Sequence, residues 1–311
     1  VLAQPQLGEW RLQKAFELQL AADDVRASRL CMVQGDAQLC AEGGWNAAKG
    51  VDLIGGLRGI DLARLNEFLP GEATIEGNLT GDFKLSGNPD NPRATLELRP
   101  SDGVLRVATD LDLLELAYRN ARVSARFADD RGDLDLGFEL GPNGRAGGQM
   151  KLGSEQGGRR SISGRVDADF PDLGLVAGFV PALQEVKGGL HVDAALSGDT
   201  VTPRIVGEVV IANASARIAA AGIQLSDIDL NVSGDGAAPL QIVGGVTSGL
   251  GRLDIKGSID LAAKGGPDVD IQVKGERFEA AKLPEALVEI SPDLRLGGSG
   301  SYHLSGKVLV P

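Results

Sequence analysis

The chain has 311 residues, a formal net charge of −12, 44 Gly and 14 Pro, but only 8 Phe, 2 Tyr and 2 Trp. The acidic charge opposes attraction to nucleic acid and disfavours a nucleic-acid-binding role. No apolar run reaches the roughly 18 residues that a membrane helix needs. The sequence starts without Met and stops just after an apolar pair. We therefore interpret it as an internal piece of a longer protein and expect neither a signal peptide nor an anchor within it.

The first structural signal is a hairpin that carries a cysteine on each strand. Gly35-Asp36 between two strand-like runs is typical of a two-residue hairpin turn. Pairing about this turn places Cys31 directly opposite Cys40, at a non-hydrogen-bonded position where Cα atoms are about 4.5 Å apart. A disulfide accepts that separation and would indicate an oxidising compartment such as the bacterial periplasm. Two unlinked cytosolic thiols are the alternative, and a metal site is disfavoured because two thiols alone cannot complete a tetrahedral shell.

Most of the remaining chain consists of segments in which aliphatic and polar residues alternate, as in half-buried strands. Helical spacing occurs briefly at 62–69 and 173–180. Clusters of Gly, Pro and Asn separate the alternating segments at intervals typical of a meandering antiparallel sheet. We therefore predict an all-β fold with a few short helices. The predicted strands include 133–140, 190–196, 227–232, 253–256, 259–261 and 268–274.

An internal repeat organises these segments. Residues 61–98 align without gaps on residues 172–209 at an offset of 111, and thirteen of the 38 columns are identical. Leu-Ser-Gly at 304–306 marks a third copy. Because a repeated strand module tends to extend along one axis, we predict an elongated antiparallel β-sheet built from repeats of about 110 residues. The predicted divisions are N-terminal strands with the cysteine hairpin (1–58), repeat unit one (59–169), repeat unit two (170–276) and the start of a third unit (277–311).

The sequence contains no recognisable catalytic constellation. His191 and His303 lie within strand patterns and have no accompanying nucleophile motif, so we interpret both as surface residues. The aspartates at 129–135 and 167–172 lack the spacing of known calcium loops and are typical of a solvated strand face. We therefore predict that the chain is not an enzyme and has no metal or cofactor.

The aliphatic face of the strands needs a cover, because a large apolar patch is not left to water. The helical segments are too few to provide it. Alternating strands most often pack on one another as a closed sandwich. The repeat and the scarcity of aromatic anchors instead favour a smooth groove, open along its length and suited to acyl chains. The sequence leaves both arrangements open.

Four segments resemble the TamB family of the wider AsmA-like group: LCAEGGW at 39–45, GIQLSDI at 222–228, SGLG at 248–251 and ISPDL at 290–294. The resemblance covers most of the chain. It implies a curved, taco-shaped β-sheet that crosses the periplasm, in a protein anchored in the inner membrane of a Gram-negative bacterium. It also implies partnership with a TamA-like Omp85 barrel through parts of the full-length protein.

The resemblance further implies that phospholipid acyl chains move along the aliphatic face toward the outer membrane. A rival hypothesis is a scaffold for outer-membrane protein assembly that binds client strands at a sheet edge, and a third is a structural spacer. The side chains predicted to line the lipid groove are Leu134, Leu136, Phe138, Leu190, Val192, Leu196, Ile228, Leu230, Val232, Leu253, Ile255, Ile259, Leu261, Val269, Ile271 and Val273.

Overall fold

The computed structural model describes residues 2–4, 8–69, 73–108, 113–174, 180, 182–237, 239–263 and 265–310. Strands dominate, and every described pairing of named strands is antiparallel, which confirms the predicted all-β fold class. The chain divides into two compact units. Unit 1 comprises Val1–Arg106, Glu115–Gly141 and Gly147–Arg160, and unit 2 comprises Val107–Leu114, Pro142–Ala146 and Ser161–Pro311.

The strands are numbered in chain order. Those of the first half are β1 (Leu2–Gln4), β2 (Gly8–Leu12), β3 (Leu18–Leu20), β4 (Asp24–Gln34), β5 (Ala37–Asn46), β6 (Gly50–Asp61), β7 (Thr74–Glu76), β8 (Asn78–Gly87), β9 (Arg93–Pro100), β10 (Gly103–Ala108), β11 (Leu113–Ala128), β12 (Arg131–Glu139) and β13 (Arg145–Gln156). Those of the second half are β14 (Arg159–Phe170), β15 (Gln184–Gly198), β16 (Pro203–Ile218), β17 (Ile223–Asp235), β18 (Leu240–Ser248), β19 (Gly251–Asp260), β20 (Asp268–Glu276), β21 (Phe278–Leu283), β22 (Ala286–Ser299) and β23 (His303–Leu309). Short 3₁₀ helices span Leu62–Phe68, Gly141–Asn143 and Ala219–Ala221.

Within unit 1, each long strand pairs with the next long strand along the chain, in the order β4, β5, β6, β8, β9, β11, β12. β2 and β3 both pair with β4, and β1 pairs with β2. β7 and β10 pair with each other outside this series. The local connections are those predicted from the turn clusters, since neighbouring strands in sequence are neighbours in the sheet.

Unit 2 is built in the same way. Its series runs β14, β15, β16, β17, β18, β19, β20, β22, β23. β21 pairs with the first part of β22 and lies against the ends of β17, β18 and β19. One strand of the series, β23, is paired with β22 and has no second partner among the described residues.

The two ends of the strands differ in each unit. At one end, called the turn rim, short hairpin turns join β8 to β9 in unit 1 and β15 to β16 and β17 to β18 in unit 2. At the other end, called the capped rim, the chain makes longer excursions. In unit 1 these are the 3₁₀ helix Leu62–Phe68, β7 and β10, and in unit 2 they include the 3₁₀ helix Ala219–Ala221 and β21.

Buried side chains concentrate at the capped rim. They include Leu62, Ala73, Leu116 and Tyr118 in unit 1, and Ala214, Ala216, Ile223, Ser248 and Phe278 in unit 2. Register shifts occur near this rim in β6, β11, β15, β16 and β17. Since a bulge bends its strand and increases the local twist, these shifts turn the strand ends toward the excursions that cover them. The left-handed backbone of Asn120 (φ 53) and Asn213 (φ 51) accommodates two of the shifts.

The two copies of the repeat pair their strands in the same register. Ser86 lies opposite Arg93 in copy 1 (61–98), and Ser197 lies opposite Arg204, 111 positions later, in copy 2 (172–209). The same equivalence holds for the other pairs between β8 and β9. The repeat found in the sequence is therefore a repeat of strand pairing.

Each copy also begins with an aspartate that caps the following turn. The side chain of Asp61 accepts a hydrogen bond from the backbone N–H two residues later at 2.9 Å, and Asp172 does the same at 2.8 Å. In copy 1 the predicted helical segment forms the 3₁₀ helix Leu62–Phe68. In copy 2 most of the predicted segment, 175–179, lies outside the described residues.

The predicted strands lie in β12, β15, β17 and β20, but one boundary was wrong. The segments 253–256 and 259–261 were expected to be separate strands, whereas β19 runs without a break from Gly251 to Asp260. Gly257 does not end the strand, because it faces Ile271 of β20. A Cβ at this position would lie 2.7 Å from the Ile271 Cα, so the close approach of β20 requires glycine here.

Candidate functional site

The strand register decides which side chains share a face of the sheet. Residues directly opposite each other in neighbouring antiparallel strands point to the same face, and residues along one strand alternate. In unit 2, Val192 lies opposite Val209, which lies opposite Val232, which in turn lies opposite Ile242. Following the register onward to β23 defines one aliphatic surface, called the apolar face of unit 2.

The structure places the groove residues predicted for unit 2 on this face, with one exception. Leu261 follows the end of β19 and lies in the turn after it. The predicted residues that share the apolar face of unit 2 are Leu190, Val192, Leu196, Ile228, Leu230, Val232, Leu253, Ile255, Ile259, Val269, Ile271 and Val273.

The sequence-based prediction missed several members of the same face. These are Ile205, Val209, Ile211, Leu240, Ile242, Leu294 and Leu296. In β16 the continuous run Val209-Val210-Ile211-Ala212 hides the alternation of faces. In β18 and β22, Leu240, Ile242, Leu294 and Leu296 alternate with polar residues, so the period-two pattern could have identified these four.

In unit 1 the predicted groove residues occupy a corresponding surface. Leu134 lies opposite Ala125 of β11, and Leu136 lies opposite Val123. Phe138 shares their side of β12 by alternation. The register extends this surface, called the apolar face of unit 1, through β9, β8 and β6 to β5 and β4. Its further members include Met32, Leu39, Leu53, Leu57, Phe83, Leu85, Leu96 and Leu98.

None of the predicted groove residues is buried. Leu136 and Phe138 are 38% and 36% exposed, and the others are half-buried. The central side chains of a closed sandwich would be almost fully covered by the opposing sheet. Both apolar faces therefore remain accessible to solvent in the described structure.

Partial cover comes from within the sheet itself. The side chain of Leu253 in β19 lies over Gly275 of β20, so that a Cβ at Gly275 would stand 2.4 Å from the leucine Cδ2. In unit 1 the ring of Phe83 lies over Gly55 in the same manner. Large side chains thus pack sideways onto glycines of the next strand. This arrangement removes part of their apolar surface from water without a second layer.

The opposite face of unit 2 carries cross-strand ion pairs. Arg165 donates two hydrogen bonds to the Asp193 carboxylate at 2.9 and 2.8 Å, and Arg295 donates two to Asp270 at 2.7 and 2.6 Å. The hydrogen bonds from Arg295 lower the pKa of Asp270 below its ordinary value, and those to Asp270 raise the pKa of Arg295. One face of unit 2 is therefore aliphatic and the other is charged.

The acidic segment at 129–135 is engaged within the protein. Asp129 accepts a hydrogen bond from Arg93 at 2.9 Å, and Asp130 accepts one from the backbone N–H of Glu155 at 2.8 Å. The pKa of Asp130 is lowered by this backbone hydrogen bond and then by Arg160. The part of the chain that the structure describes contains no group of three or more His, Cys, Asp or Glu side chains placed to hold a metal ion.

Both histidines are exposed. His191 Nδ1 lies 3.8 Å from Asp169 Oδ1, and more than half of each side chain is accessible. His303 is exposed on β23. This placement agrees with their interpretation as surface residues.

The cysteine hairpin forms as predicted. Cys31 and Cys40 are joined by a disulfide between β4 and β5, with Cα atoms 4.1 Å apart. Gln34 lies opposite Ala37 across the Gly35-Asp36 turn, which confirms the predicted register. The disulfide lies on the charged side of unit 1, yet Cys40 is only 6% exposed. Cys31 is half-buried, so the cross-link is partly covered.

The described helices include none that is long and apolar enough to cross a membrane. Among protein-family models, residues 2–211 match the one described as TamB, N-terminal domain. No solved structure matches the chain.

Proposed function

Because the chain belongs to the TamB family, we propose that it is a noncatalytic segment that conducts phospholipid along the apolar faces of its sheet. The acyl chains lie on the aliphatic side chains, and the head groups remain at the turn rim. The direction of transport comes from other parts of the assembly. The protein works in the periplasm of a Gram-negative bacterium, anchored in the inner membrane and partnered with a TamA-like barrel.

One observation carries this proposal: the apolar face of unit 2 is continuous across its strands, and most of its large side chains are at least half-buried but not fully covered, with Ile242 at 6% exposure as the exception. It extends from Phe170 and Leu190 on β14 and β15 to Leu296 and Leu304 on β22 and β23. A surface of this size without a cover is costly in water and is typical of a binding site. Acyl chains suit it because its aliphatic side chains offer few polar groups that would hold a ligand at one place. The disulfide supports an oxidising compartment.

The proposal is tested by purifying the 311-residue chain from a bacterial periplasm without detergent and measuring its lipid by native mass spectrometry and solvent extraction. Leu230→Asp places a charge in the middle of the apolar face of unit 2. We expect this variant to lose its phospholipid, because a buried unpaired charge opposes acyl-chain binding.

A matched control is available one strand away. Val243→Asp introduces the same charge on the opposite face, where Val243 is 56% exposed and lies opposite Lys256. This variant should keep its phospholipid. A folded Leu230→Asp protein with the lipid content of the wild type would contradict the proposal, as would a wild-type protein that is well folded and free of lipid.

The structure also favours a second candidate function, the binding of client strands during outer-membrane protein assembly. Every residue of β23 is exposed, and Leu304, Val308 and Leu309 are among its side chains. An exposed edge strand can pair with an extended segment of another protein. Leu304→Pro should abolish capture of client strands and lower lipid content only slightly, because proline at the margin of the apolar face is itself apolar, whereas Leu230→Asp should remove the lipid and leave client capture intact. Measuring both activities on both variants separates the two functions.

A further inference from the structure

A depression lies on the charged face of unit 1, beside the disulfide. Its volume is about 280 Å³, just below the range of roughly 300–1,000 Å³ that is typical of drug-sized ligands. Cys40 lies opposite Gly56, and Gly56 lies opposite Asp82. These three residues therefore share one face of the sheet, on the side away from Leu39 and the other aliphatic residues. A depression of this size on this face suits a small polar ligand.

Two opposite charges lie next to Gly56, which has no side chain to fill the depression. Arg58 lies opposite Gln38 of β5, two positions from Cys40, so its side chain lies on the same face as the disulfide. The Asp82 carboxylate lies close to the glycine, since a Cβ at Gly56 would stand 2.9 Å from Asp82 Oδ1. Both charged residues line the depression. A guanidinium and a carboxylate therefore flank an open space at Gly56.

These charges are not neutralised within the protein. Arg58 and Asp82 make no ion pair and no side-chain hydrogen bond among the described residues. The same holds for Arg29 and Glu42, which also line the depression. By alternation along β4 and β5, these two residues lie on the same face as the disulfide. The depression thus contains two cations and two anions that are available to a ligand.

In copy 2 the equivalent place carries a side chain and an ion pair. The residue 111 positions after Gly56 is Asp167, which lies opposite Asp193 in the same register. Asp193, the equivalent of Asp82, accepts two hydrogen bonds from Arg165. Copy 1 has neither that side chain nor that ion pair. The open depression is therefore not required by the strand register.

We propose that the depression binds a small zwitterion, an α-amino acid, whose carboxylate binds Arg58 and whose ammonium group donates hydrogen bonds to Asp82. A guanidinium forms charge-assisted, bidentate hydrogen bonds to a carboxylate, and a ligand with both charges neutralises both side chains at once. A chain with a net charge of −12 repels anions in general but does not repel a ligand without net charge. This inference is independent of lipid conduction, because the depression and the acyl chains lie on opposite faces of the sheet.

The test uses the whole 311-residue chain and four probes: L-alanine, acetate, ethylamine and O-phosphoethanolamine. Acetate and ethylamine each carry only one of the two charges of alanine. Affinities are measured by isothermal titration calorimetry at low salt for the wild type, Arg58→Gln and Asp82→Asn. We expect each variant to bind alanine about ten-fold more weakly, because a charge-assisted contact is lost. The wild type should bind alanine more tightly than it binds acetate or ethylamine.

The same face offers a matched control. Arg126 is an exposed arginine that makes no ion pair or side-chain hydrogen bond among the described residues and lies outside the lining of the depression. Arg126→Gln should bind alanine as the wild type does. Gly56→Asp tests the open space itself, because it introduces the side chain that copy 2 has at this position. It should abolish alanine binding, while circular dichroism shows that the sheet remains folded.

The probes decide between this inference and simpler ones. Equal affinity for alanine in the wild type, Arg58→Gln and Asp82→Asn would overturn it, as would a wild type that binds no alanine. If acetate binds as tightly as alanine and depends on Arg58 alone, the site recognises a simple anion and the amino-acid assignment is wrong. Tighter binding of O-phosphoethanolamine than of alanine would show that the zwitterion is a phosphate ester and would also overturn the assignment. None of these outcomes affects lipid conduction, which Leu230→Asp tests on the apolar face of unit 2.

Discussion

The two copies of the repeat have the same strand register, but the sizes of the side chains on their apolar faces differ. At the centre of copy 1, Phe83 lies opposite Leu96. At the equivalent positions of copy 2, Ala194 lies opposite Gly207. A filled surface in unit 1 thus corresponds to a shallow one in unit 2. The comparison shows that strand pairing fixes the backbone of the repeat, while a few side chains set the depth of its apolar face.

The charged faces of the two copies differ as well. Asp193 of copy 2 binds Arg165 of the preceding strand, whereas the residue 111 positions before Arg165 is Ile54. The equivalent of Asp193 in copy 1 is Asp82, which lies opposite Gly56. In contrast, Arg93 of copy 1 forms an ion pair with Asp129, whereas the equivalent Arg204 of copy 2 has no ion pair among the described residues. Neither ion pair is therefore required by the strand register. The copies differ in side-chain contacts while sharing one pattern of strand pairing.

The largest expected effect comes from forcing the filled surface of copy 1 onto copy 2 with Gly207→Leu. Gly207 has φ 132, a conformation that L side chains rarely adopt, and a Cβ there would stand 2.0 Å from the Asp193 carbonyl oxygen. We expect the free energy of unfolding to fall by about 3 kcal/mol or more. Urea denaturation followed by circular dichroism measures the change.

The neighbouring position provides the control for this substitution. Ala194→Leu adds a similar side chain opposite Gly207, at a residue without a positive φ. Because the face is open, this variant should change the free energy of unfolding by less than about 1 kcal/mol. Equal destabilisation by the two variants would mean that crowding on the face, and not the backbone of Gly207, accounts for the loss.

The second prediction concerns the cross-link, which unit 1 has and unit 2 lacks among the described residues. Replacing Cys31 and Cys40 by Ser should lower the local stability of β4 and β5 by about 2 kcal/mol, since the disulfide restricts the unfolded chain. Hydrogen exchange followed by mass spectrometry should show faster exchange in β4 and β5 and unchanged exchange in β15 and β16. Equal acceleration in both regions would indicate that the two copies unfold as one cooperative body.

Much of the sheet could be predicted from local signals. The Gly35-Asp36 turn determines the partner of every residue in its hairpin, so the Cys31–Cys40 pair followed from counting. Alternation identified the aliphatic side of β12, β17 and β20. These features depend on residues that are close in sequence, or on a periodicity that a single strand displays by itself.

The remaining features depend on contacts between distant residues. β19 continues through Gly257 because of its neighbour Ile271 in another strand. The ion pair of Arg93 depends on Asp129, which lies 36 positions away in the sequence. No pattern within one strand reports which aspartate a distant arginine will meet.

The third prediction compares the two capped rims, in each of which a side-chain hydroxyl group donates a hydrogen bond to a backbone carbonyl oxygen. The Tyr118 hydroxyl donates to the Glu76 carbonyl oxygen at 2.8 Å in unit 1, and Ser248 Oγ donates to the Glu279 carbonyl oxygen at 2.7 Å in unit 2. Burial, followed by the charge of Asp102, raises the pKa of Tyr118. Tyr118→Phe and Ser248→Ala should each lower the free energy of unfolding by about 1 kcal/mol. A change below about 0.3 kcal/mol in either variant, measured by urea denaturation, would show that water replaces that hydroxyl without loss.

The smallest expected effect concerns the charged face of unit 2 in acid. The pKa of Asp270 is lowered from its ordinary value of 3.8 by the hydrogen bonds from Arg295. Because the folded state binds the proton less readily than the unfolded state, the pair stabilises the fold above that ordinary value and the contribution disappears as the pH falls below it. Asp270→Asn should therefore reduce the loss of stability between about pH 4 and pH 2, and leave its slope unchanged between pH 6 and pH 8. Both side chains are at least half exposed, so screening keeps the effect small, and added salt should diminish it. Urea midpoints measured across this acid range, at low and high salt, check the expectation. A variant whose midpoint falls as steeply as that of the wild type would mean that the Arg295 pair adds nothing to the fold, and that the charged face serves solubility alone.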